Sequence, residues 1–275
     1  MKRKLLLKIL ILTILAGTLM GRGRIGENED FAHGGKGSTE IKEETLYDDG
    51  NTSYLFRVEG KYFQKYDGSE FKDYYIKGVN IGSSKPNTFP GELGVTEDEY
   101  LKWFEQIGEM HANTIRVYTV LMPAFYSALY KYNTTHDEKI YLFQGCWYNE
   151  DLISETQDAF SDIKDVKKDL RDLVNIIHGN AKVEKRVGHA YGNYTRDISK
   201  YVIGWILGIE SDQSLVEGTR DANKHVTSYS GDYLSCEKVE PYEVFWCEIG
   251  DYALKYEDEK YHMQRPVSYS NWPTA

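Results

Sequence analysis

Apolar and polar residues follow two periods along this chain. From Tyr54 to Phe63 they alternate, and Tyr66-Asp67-Gly68-Ser69-Glu70-Phe71 carries a turn signal. Alternation around a Gly-containing turn predicts a β-hairpin. Tyr74 to Asn80 predicts the next strand, followed by a Gly-, Ser- and Pro-rich loop from Ile81 to Gly94. The period then lengthens. Thr96-Glu97-Asp98-Glu99 is a capping-box sequence, and Tyr100, Trp103, Phe104, Ile107 and Met110 continue at helical spacing, the face expected to meet a barrel. Asn113–Val120 and Lys139–Trp147 predict strands, with a short helix over Pro123–Tyr132 between them. A helix follows from about Ser161 to His178, with Ile163, Val166, Leu170, Leu173, Val174 and Ile177 on one face. The glycines around Gly188–Gly192 predict a loop.

Tyr201-Val202-Ile203-Gly204-Trp205-Ile206-Leu207-Gly208-Ile209 is an apolar run that ends at Glu210. A short apolar run rich in β-branched residues predicts a strand buried on both faces. Glu210 would leave the core at its C-terminal end, where parallel α/β barrels carry catalytic side chains. A strand must also end somewhere, and a Glu there is often only solvated. Ser211 to about Ser235 reads as a polar insertion, Pro241–Glu259 as a helix, and Arg265–Trp272 as a last strand.

Strand and helix thus alternate about five times, the pattern of a parallel α/β protein. No GxGxxG or other phosphate-cradling glycine pattern follows the first strand, which counts against a doubly wound nucleotide fold. A (β/α)8 barrel needs about 250 residues, more than lie between Tyr74 and Ala275. The expectation is a TIM-barrel type, incomplete at about five strands and preceded by a β-hairpin.

Lys2, Arg3 and Lys4 precede an apolar stretch to Met20, so residues 1–20 read as a signal peptide or membrane anchor. Residues 21–53 are rich in Gly and charge and read as a flexible linker, leaving 54–275 as the folded part. The localisation that follows is secreted, or membrane-anchored on the extracytoplasmic side. A net charge of -10 argues against nucleic acid as a partner. The 23 tyrosines supply flat faces suited to stacking on sugar rings, and also ordinary strand and core material. The three cysteines and seven histidines form no CxxC or HExxH pattern, so no metal or cofactor is expected. Cys236 and Cys247 are near enough in sequence to close a loop in an exported protein, which would leave Cys146 free. Asn51, Asn133 and Asn193 each head a glycosylation sequon.

Four segments carry a resemblance: Ile76-Lys77-Gly78-Val79-Asn80, Asn113-Thr114-Ile115-Arg116-Val117-Tyr118, Gly204-Trp205-Ile206-Leu207-Gly208-Ile209-Glu210, and Arg265-Pro266-Val267. In this order and spacing they resemble the first, second, fourth and fifth strands of clan A glycoside hydrolases, most nearly the family 2 catalytic barrel. The second segment also resembles the β-1,3-glucanosyltransferases of that clan. The resemblance implies a retaining mechanism in which two carboxylates about 5–5.5 Å apart act as acid/base and nucleophile. The acid/base position falls on Glu210, whose protonation a partly apolar strand end and a nearby second carboxylate would favour. Arg116 would point toward the nucleophile. Asn80 and Trp147 would line the sugar site, with Tyr118 and Trp272 as further substrate-binding candidates. Asn80 reads equally as a turn residue, and Trp147 as a core or lid aromatic.

The sequence departs from the family at two places. Ile209 stands where the family usually has an Asn, and the nucleophile belongs after a seventh strand, whereas five are counted here. The chain is therefore expected to be a fragment or truncated product, or to have its barrel completed by a partner chain. Two functions follow. One is an exported retaining glycosidase or transglycosylase acting on an oligosaccharide or polysaccharide. The other is a non-catalytic carbohydrate-binding or envelope-associated protein on a degenerate barrel. An α/β hydrolase would need a GxSxG elbow, which the sequence lacks.

Overall fold

The structure, a computed structural model, describes residues 41–147 and 155–270. The predicted targeting segment, most of the linker and Trp272 lie outside the described residues. The last part of the linker does not behave as one. β1 (Tyr47–Asp48) pairs with β2 (Ser53–Tyr54), and the Glu44 carboxylate accepts hydrogen bonds from Lys65, at 2.9 Å, and from the Tyr141 hydroxyl. The predicted hairpin is a three-stranded antiparallel meander, β3 (Phe56–Glu59), β4 (Tyr62–Tyr66) and β5 (Phe71–Asp73).

The central sheet has five parallel strands: β6 (Gly78–Asn80), β7 (Thr114–Val117), β8 (Tyr141–Cys146), β11 (Val202–Leu207) and β14 (Val267–Tyr269). Between β8 and β11 a small hairpin, β9 (Ala181–Val183) and β10 (Gly192–Tyr194), pairs separately. The central strands lie side by side in the order in which the chain makes them. Each crossover therefore steps in one direction. Because such crossovers are right-handed, they carry their helices to one face of the sheet. A doubly wound sheet would reverse direction partway.

Side chains alternate across the sheet, and its two faces have different partners. Gln144 and Trp205 are register neighbours on one face. Gln144 accepts from the Tyr126 hydroxyl of α2 (Pro123–Thr135) at 3.0 Å, and the Trp205 indole donates to Glu257 of α5 (Pro241–Tyr261) at 3.3 Å. That helix-covered face holds Ile115, Val117, Leu142 and Leu207, all buried. On the opposite face, Phe143 lies beside Gly204 in register. The meander covers this face near the N-terminal ends of the strands. There the Phe56 ring stands 4.8 Å from Tyr141 and the Phe63 ring 5.6 Å from Phe143.

α1 (Glu97–Glu109) begins at the expected capping box. Thr96 Oγ1 accepts from the Glu99 amide, and the Glu99 carboxylate accepts from the Thr96 amide. Its Tyr100, Phe104 and Ile107 are buried, but Met110 is the C-cap and is 62% exposed, contrary to the expected face. α3 (Ile163–Ile177) follows a 3-10 turn, Ala159–Asp162. The polar insertion after Glu210 is structured: α4 (Gln213–Ala222) is capped by Asp212 and followed by a hairpin of β12 (Ser228–Ser230) and β13 (Ser235–Glu237). Asn133 is wholly buried, and its amide bonds both backbone groups of Ile140 at 2.8 Å. In the folded state its sequon is a structural link rather than a glycan acceptor.

Candidate functional site

The C-terminal ends of the parallel strands gather most of the residues expected to bind substrate. Asn80 ends β6 and is exposed. It is in register with Arg116 on β7, and the row continues to Phe143 on β8 and Gly204 on β11. These four positions share the face away from the helices. The Arg116 guanidinium carbon lies 4.7 Å from the Tyr118 ring centroid, a cation–π distance. Its Nε is buried and has no hydrogen-bond partner among the described residues. A buried donor left unpaired costs about 1–3 kcal/mol, so Arg116 is poised for an acceptor. Asn80, Arg116 and Tyr118 therefore form one patch.

Glu210 lies three residues beyond the end of β11 and is exposed. Gly208 turns the chain there with φ 76°, a conformation L side chains rarely adopt, and its amide donates to the Cys146 carbonyl at 2.9 Å. Ile209 is half-buried. Among the described residues, Glu210 makes no hydrogen bond or ion pair. Its exposure does not fit the partly apolar enclosure expected to hold its proton.

Trp147 follows β8, is 40% exposed, and belongs to a different feature. It lines a groove of about 710 Å3 with Thr119, Val120 and Cys146 from the strand ends and the polar face of α3. That face presents Asp165, Lys168, Asp169 and Asp172. Arg186 donates to Asp169 at 3.2 Å, and Lys168 to Asp172 at 2.9 Å. Asn80, Arg116, Tyr118 and Glu210 do not line this groove. The three-and-four spacing of the α3 carboxylates is visible in the sequence, and it puts them on one side of the helix. Cys146 offers no nucleophile. Burial first, and Asp169 second, push its thiol up to about 12, so it stays protonated near neutral pH.

The other charged clusters sit near the N-terminal ends of the strands or hold the insertion. Glu257 is wholly buried, paired with Arg265 and with His178 Nε2 at 2.9 Å. Arg265 also donates to the carbonyls of Ser199 and Val202, at the start of β11. Asp251, buried on α5, accepts from the amides of Tyr233 and Leu234 and from the Tyr229 hydroxyl, latching the β12–β13 hairpin to the helix. Every acceptor in these clusters has a partner within the fold, the mark of structural rather than reactive groups. Among the described residues no cluster of His, Cys, Asp or Glu could hold a metal ion. No helix there is long and apolar enough to cross a membrane. No protein-family model, curated protein or solved structure matches the chain.

Proposed function

We propose that the protein is an exported carbohydrate-active protein of the retaining glycoside hydrolase or transglycosylase type. The fold in this reading is the first five β/α units of a (β/α)8 barrel. The observation that carries it is the patch at the strand ends: Arg116, with a buried unpaired Nε, in register with Asn80 on a sheet whose strands follow chain order. Parallel barrels work at that end. A guanidinium there would pair with a carboxylate or bond sugar hydroxyls, and Tyr118 and Trp147 would offer faces to sugar rings. Glu210 is the acid/base in this proposal. The nucleophile is assigned to no described residue in this reading; further sequence of the same protein or a partner chain completing the barrel would supply it. In this reading the N-terminal segment would carry the protein to the extracytoplasmic side, by secretion or anchoring.

The second reading, a non-catalytic carbohydrate-binding or envelope-associated protein, is favoured by one observation: Glu210 is exposed and unpaired among the described residues. One experiment separates the two. Reducing ends released from a panel of natural oligosaccharides are measured with the protein isolated from its native host together with whatever completes its barrel, and with Glu210→Gln isolated in the same way. Turnover abolished by the substitution supports the acid/base role. Turnover unchanged on a natural glycoside sinks it. Glycan binding without turnover in either protein supports the second reading, and neither binding nor turnover sinks both. Activated aryl glycosides are unsuitable, since they need little acid assistance.

A further inference from the structure

Two of the three thiols lie together, away from the strand-end patch. Cys236 is the middle residue of β13, in register with Tyr229 of β12. Cys247 is in the second turn of α5. Between them the chain reverses through Lys238, at φ 57°, into the helix start at Pro241. Both cysteines line one groove of about 250 Å3, with Leu234, Trp246, Val267 and Tyr269. Both are partly exposed, and neither is bonded to another cysteine. Cys146, by contrast, is buried on β8 and does not line that groove.

We propose that Cys236 and Cys247 are a disulfide-forming pair that staples the β12–β13 hairpin covalently to α5. The oxidant is a low-molecular-weight disulfide such as oxidised glutathione. In the first step the Cys236 thiolate attacks one sulfur of that disulfide, forming a mixed disulfide and releasing one glutathione thiol. In the second the Cys247 thiolate attacks the Cys236 sulfur, forming the protein disulfide and releasing the other glutathione. Two protein thiols are oxidised, one glutathione disulfide is reduced, and the two protons end on the glutathione thiols. Burial, and next the neighbouring Cys236 thiol, push the Cys247 thiol up to about 12. In the mixed disulfide the Cys236 thiol is gone, so of these two causes only burial still disfavours the Cys247 thiolate that closes the bond. The hairpin is already held to α5 by Asp251, so closure needs no rearrangement of its far end. Oxidising compartments preserve such bonds.

The test uses the full folded chain in defined mixtures of reduced and oxidised glutathione, with free thiols counted after acid quenching and the products mapped by peptide mass spectrometry. The expected result is a fall from three free thiols to one, a Cys236–Cys247 peptide link, and recovery of all three thiols with dithiothreitol. Cys146→Ser should close in the same way. Cys236→Ser and Cys247→Ser should form no internal link and accumulate a glutathione adduct. Three free thiols persisting in excess oxidised glutathione, glutathionylation of the wild type without closure, or a link through Cys146 would each overturn the proposal. If either Ser variant fails to fold, the wild-type peptide map alone decides.

Discussion

The Arg265 guanidinium closes on the Glu257 carboxylate with Nε 3.1 Å from both oxygens, where the two side chains are 3% and 0% exposed. The pair joins α5, the start of β11 and the approach to β14. Removing one partner of a buried ion pair leaves the other charge uncompensated, at a cost of about 3–5 kcal/mol. Glu257→Ala should lose that much in urea unfolding. The double change Glu257→Leu with Arg265→Met should lose clearly less than the single one.

The same carboxylate sets an acid limit. Burial alone would raise its pKa, but the Arg265 charge and the hydrogen bonds from His178 and Arg265 outweigh it and hold the carboxyl below its ordinary 4.5. A depressed folded-state pKa contributes stability above the unfolded value and loses it as pH falls through the folded one. Urea midpoints should therefore drop on acidification below about pH 4.5. In Glu257→Gln that drop should be smaller, the other carboxylates accounting for what remains.

Asp251 is a latch. It accepts from the Tyr233 and Leu234 amides at 2.7 and 2.9 Å and from the Tyr229 hydroxyl at 3.0 Å. Asp251→Ala leaves these donors unpaired, at about 1–3 kcal/mol for each that stays buried. Amide exchange over 228–237 should speed up more than exchange in β7 or β8. Gly231→Ala should act similarly, because its Cβ would stand 2.2 Å from the Asp251 Cγ.

Asn133 ties α2 to the residue that precedes β8. Asn133→Ala removes both bonds to Ile140 and should cost about 2–4 kcal/mol in urea unfolding. Expression in a glycosylating host should yield folded protein unmodified at Asn133, checked by mass spectrometry.

Arg116 should behave in the opposite way. Its Nε stabilises nothing by hydrogen bonding among the described residues, so Arg116→Met should leave unfolding stability unchanged or raise it, by up to about 1–3 kcal/mol. If the strand-end patch binds sugar, the same substitution should weaken glycan binding at least about tenfold, a difference of about 1.4 kcal/mol by calorimetry.

Much of the parallel sheet was legible because its signals are local. The apolar runs of β7, β8 and β11 announce strands buried on both faces, and Thr96 with Glu99 announces α1 within four residues. α4 was hidden because it buries little, with Leu215 and Thr219 its buried residues. Its one clear signal was the cap Asp212, which accepts from the Ser214 amide at 2.8 Å. Glu44 could not be read as part of the fold, since its partner Tyr141 lies 97 residues away. Of the site, Asn80 and Arg116 were legible as strand-end polar residues. Their register depends on β6 and β7 pairing, which no single strand encodes. That Trp147 belongs to a separate groove depends on the packing of α3, which its apolar face alone does not reveal.

The chain-order arrangement of the sheet has a consequence for how the protein is made. Each central strand pairs with the one synthesised just before it, so the sheet can lengthen as the polypeptide leaves the ribosome. The Arg265 cluster cannot follow that schedule, because it draws on His178, Ser199, Val202 and Glu257 at once. Growth of the sheet can therefore be gradual, but the ion pair that locks it forms only after Arg265 has emerged. At about 5–20 residues per second, β6 to β8 wait roughly 6 to 40 seconds for it, a window in which a chaperone would find the nascent protein unlocked.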